Sequence, residues 1–86
     1  MMKSYYVYIL KCNDDSLYTG ITTDVSRRVK EHNSDNQLGA KYTKGRRPVT
    51  LLYSEPSESR SAASQREYQI KKYSRSKKLQ LLRQVE

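Results

Sequence analysis

The 86 residues of this chain suffice for one domain and exclude a second independent core, because globular domains typically run to about 100 to 150 residues. Seventeen Lys and Arg against nine Asp and Glu give a formal net charge of +8, so the expected partner is a polyanion, with nucleic acid the leading class. The single cysteine, Cys12, excludes an internal disulfide and a multi-thiolate zinc site. No apolar run approaches the roughly 20 residues that cross a bilayer, so a soluble, cytoplasmic protein without membrane association is expected.

The first half of the chain predicts a β-hairpin followed by a helix. Residues 5–12 (YYVYILKC) are rich in aromatic and β-branched side chains on both faces of an extended strand, and residues 17–21 return antiparallel after a turn at NDDS. Asp24 and the two threonines before it offer helix-capping oxygens, and the helix is expected to end near Asn33. Its inward stripe is Val25, Val29 and His32.

The second half predicts a basic surface loop, a strand and two helices. Residues 34–48 contain two glycines, a proline and several basic side chains, which are typical of a long loop. A third strand is expected over residues 48–54, ended by Glu55-Pro56-Ser57. A helix should follow to about Tyr73, and Ser74 can cap a last helix. The residues expected to face inward on the first of these helices are Ala63, Glu67 and Ile70, with Ala62 and Arg66 beside them. The order is ββαβαα in a single domain over residues 1–86.

Five side chains are candidates for chemistry. The hairpin brings Tyr8 and Tyr18 to adjacent strands, so their rings can approach each other. Arg28 and His32 lie at positions i and i+4 and therefore share one face of a helix. Glu67 is an isolated helical carboxylate amid positive charge, and Mg²⁺ commonly takes only one or two protein carboxylates. Taken singly, each has an ordinary structural explanation, such as a strand tyrosine or a surface Glu67–Lys71 pair.

The surplus of positive charge lies entirely in residues 41–86, which hold twelve basic and four acidic side chains. Contacts of such groups with phosphates give affinity for nucleic acid without reading base sequence. The alternative is a solvated charged surface, and Tyr42 can either stack on an unpaired base or cover the core. The candidate nucleic-acid-binding residues are Lys41, Tyr42, Lys44, Arg46, Arg47, Lys71 and Lys72, within the segments KYTKGRR and Lys71 to Lys78.

The spacing of these residues resembles the GIY-YIG nuclease domain. Tyr6-Val7-Tyr8 is followed by Tyr18-Thr19-Gly20, then by Arg28, and later by Glu67. The resemblance covers nearly the whole chain and is greatest to the small stand-alone bacterial members of the family. Tyr6 and Thr19 replace the glycine and isoleucine of the two triplets, and no asparagine counterpart follows Glu67.

The resemblance implies an α+β fold with a three-stranded antiparallel sheet flanked by helices. It also implies a metal-dependent endonuclease that uses one divalent ion, Mg²⁺ or Mn²⁺, held by Glu67. Tyr8 is the preferred general base, with Tyr18 orienting the water or exchanging that role, and His32 is placed to accept a proton from tyrosine. Arg28 would offset the charge that builds on the phosphate.

The implied substrate is nucleic acid, branched or damaged DNA ahead of RNA, cut in repair or recombination. A protein partner that supplies specificity is compatible with so small a domain, and a monomer is the default. The competing interpretations are a nuclease-derived module that binds nucleic acid without cutting it, and an adaptor that docks on an acidic protein.

Overall fold

The computed structural model describes residues 4–83 and has an α+β fold. Within that range the strands form one antiparallel sheet in the order β2-β1-β3, and helices flank it. The strands are β1 (Tyr5–Lys11), β2 (Leu17–Thr22) and β3 (Thr50–Ser57). The helices are α1 (Val25–Ser34), the single turn α2 (Lys41–Lys44), α3 (Arg60–Lys71) and α4 (Arg75–Arg83). Apart from α2, this is the predicted order, and the predicted fold class is confirmed.

The central strand β1 is buried on both faces, as its sequence predicted. Val7 and Ile9 point to one face and pack with residues of α3 and α4, while Tyr8 and Leu10 point to the other and pack with residues that include Val29 of α1. The buried members of the first cluster are Val7, Ile9, Ala63, Ile70 and Leu81. Those of the second are Tyr8, Leu10, Cys12 and Val49. The sheet therefore separates an α1 side from an α3–α4 side.

Side-chain caps start the three longer helices, and two of them, Asp24 and Ser74, were predicted. Asp24 accepts a hydrogen bond from the Arg27 amide at the start of α1, and Ser59 accepts one from the Ala62 amide at the start of α3. Ser74 accepts one from the Lys77 amide ahead of α4. Each cap satisfies an amide that has no partner within its helix. In the part of the chain described, no helix is long and apolar enough to cross a membrane.

Two predicted boundaries were wrong. The segment 34–48 is not loop throughout, because its middle forms α2. The third strand is predicted over residues 48–54, but β3 spans Thr50–Ser57 and continues through Pro56. β3 lies at the edge of the sheet and needs partners along one side only, so a proline whose missing N–H would face solvent is tolerated. A shift in pairing between Ile9 and Leu10 also places a bulge in the middle of this pair of strands.

Candidate functional site

Four rings gather on the α1 side of the sheet. Tyr8 pairs with Gly20 across the hairpin, which sets Tyr18 diagonally beside Tyr8. Their ring centroids are 6.4 Å apart, and the Tyr18 centroid lies 5.2 Å from that of His32 in an edge-on arrangement. The Tyr42 ring of α2 follows at 5.8 Å from Tyr18 and is 40% exposed. The sheet and α1 thus bring together the tyrosine pair and the histidine that the sequence had marked.

A chain of buried hydrogen bonds runs from Tyr8 through His32 to Thr43. The Tyr8 hydroxyl is 2.8 Å from His32 Nε2, and His32 Nδ1 is 2.9 Å from Thr43 Oγ1. Thr43 Oγ1 in turn donates to the carbonyl oxygen of Ala40 at 2.9 Å. A hydroxyl has one proton, so Thr43 must accept at His32, which places the imidazole proton on Nδ1. His32 Nε2 is therefore an acceptor, and Tyr8 donates to it.

The pKa values of His32 and Tyr8 agree with Tyr8 as the donor and His32 as the acceptor. Burial, together with the nearby positive charge of Arg28, lowers the pKa of His32 to about 4, so the imidazole is neutral at pH 7. Burial raises the pKa of Tyr8 to about 12, so its hydroxyl is protonated in the resting protein. The protein holds a neutral acceptor against a protonated phenol.

Arg28 stands beside this chain. Its guanidinium donates to Glu31 Oε1 at 3.0 Å and to the carbonyl oxygen of Leu38. It also lies close enough to the Tyr8 hydroxyl to act against the rise in that pKa. Glu31 holds Arg28 from one side and Arg27 from the other, at 3.5 Å. The cation is therefore fixed next to the hydroxyl that would take part in proton transfer.

Gly20 is where the sheet makes room for the Tyr8 hydroxyl. A Cβ at this position would lie 2.6 Å from the Tyr8 hydroxyl oxygen and 2.8 Å from its Cζ atom. It would also lie 3.2 Å from the Tyr18 ring. Because carbon atoms do not approach that closely, only glycine permits the observed placement of both tyrosines. This gives a physical reason for the glycine that closes the second triplet.

Glu67 approaches from the other helix layer. It lies on α3 between the buried Ala63 and Ile70, and α3 packs against β1 and the edge strand β2. Its negative charge is one of the influences that raise the pKa of Tyr8, so the two groups interact. Its side chain is 24% exposed and its ion-pair partner is Lys71, 3.6 Å away.

Glu67 is the carboxylate that would hold a hard divalent cation. Within residues 4–83 no three His, Cys, Asp or Glu side chains cluster as a metal site, so an all-protein cage of the zinc type is not formed there. A single accessible carboxylate instead suits Mg²⁺ or Mn²⁺, which keep several waters and take phosphate oxygens of a substrate. Glu67, whose side chain is 24% exposed and whose ion-pair partner Lys71 is 3.6 Å away, is a carboxylate of that kind.

The predicted nucleic-acid-binding residues divide into two groups. Arg47 is used inside the fold: it donates to the carbonyl oxygens of His32 and Asp35 and to Asn36 Oδ1. Arg46 pairs with Asp14 at 3.0 Å and lies over the Tyr42 ring, 4.0 Å from its centroid. The side chains that remain exposed are those of Lys41, Tyr42, Lys44, Lys71 and Lys72.

Sequence reasoning did not single out two residues of the site. Thr43 follows His32 by eleven positions and meets it only because α2 folds against α1, so no local pattern marks it. Glu31 could have been found, since it lies three residues after Arg28 on the same helix, at the spacing of an ion pair.

Comparison with known proteins shows the family of this chain. A family model of the GIY-YIG catalytic domain matches residues 4–80. A UPF0213 protein of Haloquadratum walsbyi is 60% identical over 77 residues, covering 90% of this chain and 84% of that relative. A UPF0213 protein of Staphylococcus aureus is 55% identical over 83 residues, covering 96% and 99% of the two chains. The solution NMR structure of a protein from E. faecalis is similar with a TM-score of 0.66 at 45% identity, over 98% of this chain and 88% of that one.

The chain belongs to the GIY-YIG family, and the resemblance found in the sequence is confirmed. It is a small GIY-YIG domain protein, similar to UPF0213 proteins of Haloquadratum walsbyi, Staphylococcus aureus and Bacillus halodurans. The family places it among nuclease domains, and a nuclease domain implies nucleic acid as the substrate class.

Proposed function

We propose that this protein is a metal-dependent endonuclease that hydrolyses phosphodiester bonds in branched or damaged DNA during repair or recombination. The observation that carries the proposal is the hydrogen-bond chain from Tyr8 to His32 to Thr43, with the donor and acceptor directions described above. The residues act within one domain, as a monomer in the cytoplasm, and a protein partner can add specificity.

The hydrogen bonds from Tyr8 through His32 to Thr43 supply a route for a proton. A water molecule attacks the phosphorus and gives its proton to the Tyr8 hydroxyl oxygen, while Tyr8 gives its own proton to His32 Nε2. Tyr8 thus acts as general base without ever carrying a free negative charge, which its raised pKa disfavours. The proton already on His32 Nδ1 stays hydrogen-bonded to Thr43, so the imidazolium that forms is oriented and partnered. Tyr18, beside both rings, positions the attacking water.

Charge balance at the phosphate comes from two sides. Arg28, held by Glu31, stabilises the negative charge that grows on the nonbridging oxygens. On the opposite side the bond between phosphorus and the 3′ oxygen breaks. The 3′ oxygen takes a proton from solvent and the imidazolium of His32 returns its proton to solvent, so the products are a 3′ hydroxyl and a 5′ phosphate. Glu67 would hold Mg²⁺ or Mn²⁺ there, and the ion supplies Lewis-acid stabilisation of the departing oxygen.

The exposed residues of α2 serve as the binding surface next to this centre. Lys41 and Lys44 contact the phosphates of the strand, and Tyr42 offers a ring face for an unpaired base. Lys71, one turn from Glu67, adds a contact on the α3 side. Lys72, at the end of the same helix, also binds nucleic acid. The Arg46 guanidinium packs against one face of the Tyr42 ring and holds the ring in place.

The test is cleavage of end-labelled duplex, flap, four-way-junction and single-stranded substrates with Mg²⁺ or Mn²⁺. Wild type is compared with Glu67→Ala and with the matched control Glu58→Ala, which removes an exposed carboxylate at the start of the α3 region. We expect wild type and the control to cut and Glu67→Ala to bind without cutting. If none of the three cuts while all bind with strong salt dependence, the chain is a binding module and the endonuclease proposal is refuted.

A further inference from the structure

The outer face of α3 differs from an ordinary solvated helix face. Its exposed side chains recur at the spacing of one helical stripe, and none of them is acidic. They include Ser64, Gln65, Tyr68 and Gln69, followed by Lys72 at the C-cap. The first four line a shallow groove of about 540 Å³. The only acidic residue of α3, Glu67, lies on the inward side instead.

Tyr68 and Lys72 form the strongest feature of this face. The Tyr68 ring is 62% exposed, the largest exposure among the big hydrophobic side chains of the described residues. The Lys72 ammonium lies 4.2 Å from its centroid, which keeps a cation at a defined place on the surface. The helix thus displays an open ring with a fixed positive charge next to it.

The chemistry of the stripe matches a phosphate backbone. Hydroxyl, carboxamide, phenol and ammonium groups can all donate hydrogen bonds, and these are among the groups that proteins use to contact phosphate and sugar. With no carboxylate on the stripe, a polyanion meets no repulsion there, and the net charge of +8 draws it in. A second copy of this chain would instead bring positive charge against positive charge.

The stripe faces away from the candidate active site. α3 packs through Ala63 and Ile70 onto the Val7 and Ile9 face of the sheet, whereas Tyr8, His32 and Thr43 lie on the opposite side. The stripe lies across α3 from Glu67, about 10 Å away, and farther still from Tyr8, His32 and Thr43, which lie beyond the sheet. A straight linear strand bound at Tyr8 does not also run along this stripe.

We propose that the outer face of α3 is a second nucleic-acid-binding surface, which holds the phosphate backbone of a duplex arm that is not being cut. The inference rests on the proposed function and deepens it: the preferred substrate has a second arm that can fold back around the edge of the sheet. Lys72 and Tyr68 then anchor that arm, and the two glutamines contact its backbone.

The test is binding in EDTA, so that cleavage plays no part. A ¹⁵N-labelled sample is titrated with a short duplex, and we expect saturable shifts of the amide signals over residues 64–72. Gln65→Glu/Gln69→Glu should weaken duplex affinity about tenfold at low salt and reduce the salt slope by roughly one unit for each phosphate that the surface no longer binds. The control, Ser76→Glu/Gln80→Glu, adds the same charge at the same spacing on exposed positions of α4 and should change affinity less than threefold.

The inference is overturned if the shifts are confined to α1 and α2, or if the two double variants weaken binding equally. It is also overturned if an acidic peptide, and not the duplex, shifts the α3 signals, since the surface would then be a protein-docking site. The proposed function has its own readout. Shifts on α3 with a wild-type protein that cuts nothing would preserve the surface and refute the nuclease, and cleavage without those shifts would do the reverse.

Discussion

Replacing Thr43 with valine tests whether the direction of the buried hydrogen-bond chain matters. Valine keeps the shape of threonine but removes the hydroxyl that accepts from His32 Nδ1 and donates to Ala40. Both Thr43 and His32 are fully buried, so water does not replace the missing hydroxyl. The tautomer of His32 with its proton on Nε2 is then favoured, because that proton can be donated to the Tyr8 oxygen.

The structure sets the size of two effects of Thr43→Val, the loss of stability and the fall in the cleavage rate. A buried polar group of His32 that is left without a partner costs about 1 to 3 kcal/mol of the free energy of unfolding. For a domain of this size that is a fall of roughly 5 to 20 °C in Tm. With the proton on Nε2, Tyr8 has no acceptor for its own proton, and the cleavage rate should fall by about 10²- to 10⁴-fold, the usual contribution of general acid–base catalysis.

Two measurements separate catalysis from stability. The ¹⁵N shifts of the His32 ring report which nitrogen is protonated, and cleavage is measured well below the Tm of the variant. Thr43→Ser keeps the hydroxyl and should restore the Nδ1 proton and most of the rate. If Thr43→Val keeps the proton on Nδ1 and cleaves as fast as wild type, the proposed role of the chain is wrong.

The remaining predictions concern other parts of the site. Tyr8→Phe should lower the cleavage rate about 10²- to 10⁴-fold and leave binding within about twofold, and a variant that still cuts at the wild-type rate would exclude Tyr8 as the base. Glu67→Gln should abolish metal-dependent cleavage but change the free energy of unfolding by less than about 1 kcal/mol, because it removes only the partly exposed Lys71 pair; retained cleavage would remove Glu67 from the metal site. Gly20→Ala should cost about 1 to 3 kcal/mol in unfolding experiments and disturb the ring signals of Tyr8, since its methyl group would overlap that hydroxyl; unchanged signals would contradict the steric argument. Folding lowers the pKa of His32 from 6.5 to about 4, so the unfolded chain binds more protons between these pH values. The free energy of unfolding should therefore drop by about 3 kcal/mol as the pH falls through that range. His32 is the only histidine, and His32→Gln should remove that part of the pH dependence.

The candidate site could be predicted in part because some of its spacings are local. Tyr8 and Tyr18 are joined by a short hairpin, and Arg28 and His32 lie on one helix, so strand pairing and helical periodicity place each pair. The roles assigned to these residues remain proposals. The hydrogen bonds of Arg47 within the fold were not predictable in the same way. Its guanidinium donates to the carbonyl oxygens of His32 and Asp35, which come near it only in the folded chain.

The sequence alone predicts the order of the strands and of the three longer helices, the two covered faces of β1, and the capping residues Asp24 and Ser74. It does so because alternation, periodicity and capping act between residues that are close along the chain. The tertiary structure decided the rest. Thr43 fixes the proton of His32 only because α2 folds onto α1, and Glu67 influences Tyr8 only because α3 packs against the strands beside it. Pro56 stays within a strand because β3 lies at the edge of the sheet, and strand order depends on the packing of the whole chain rather than on any single segment.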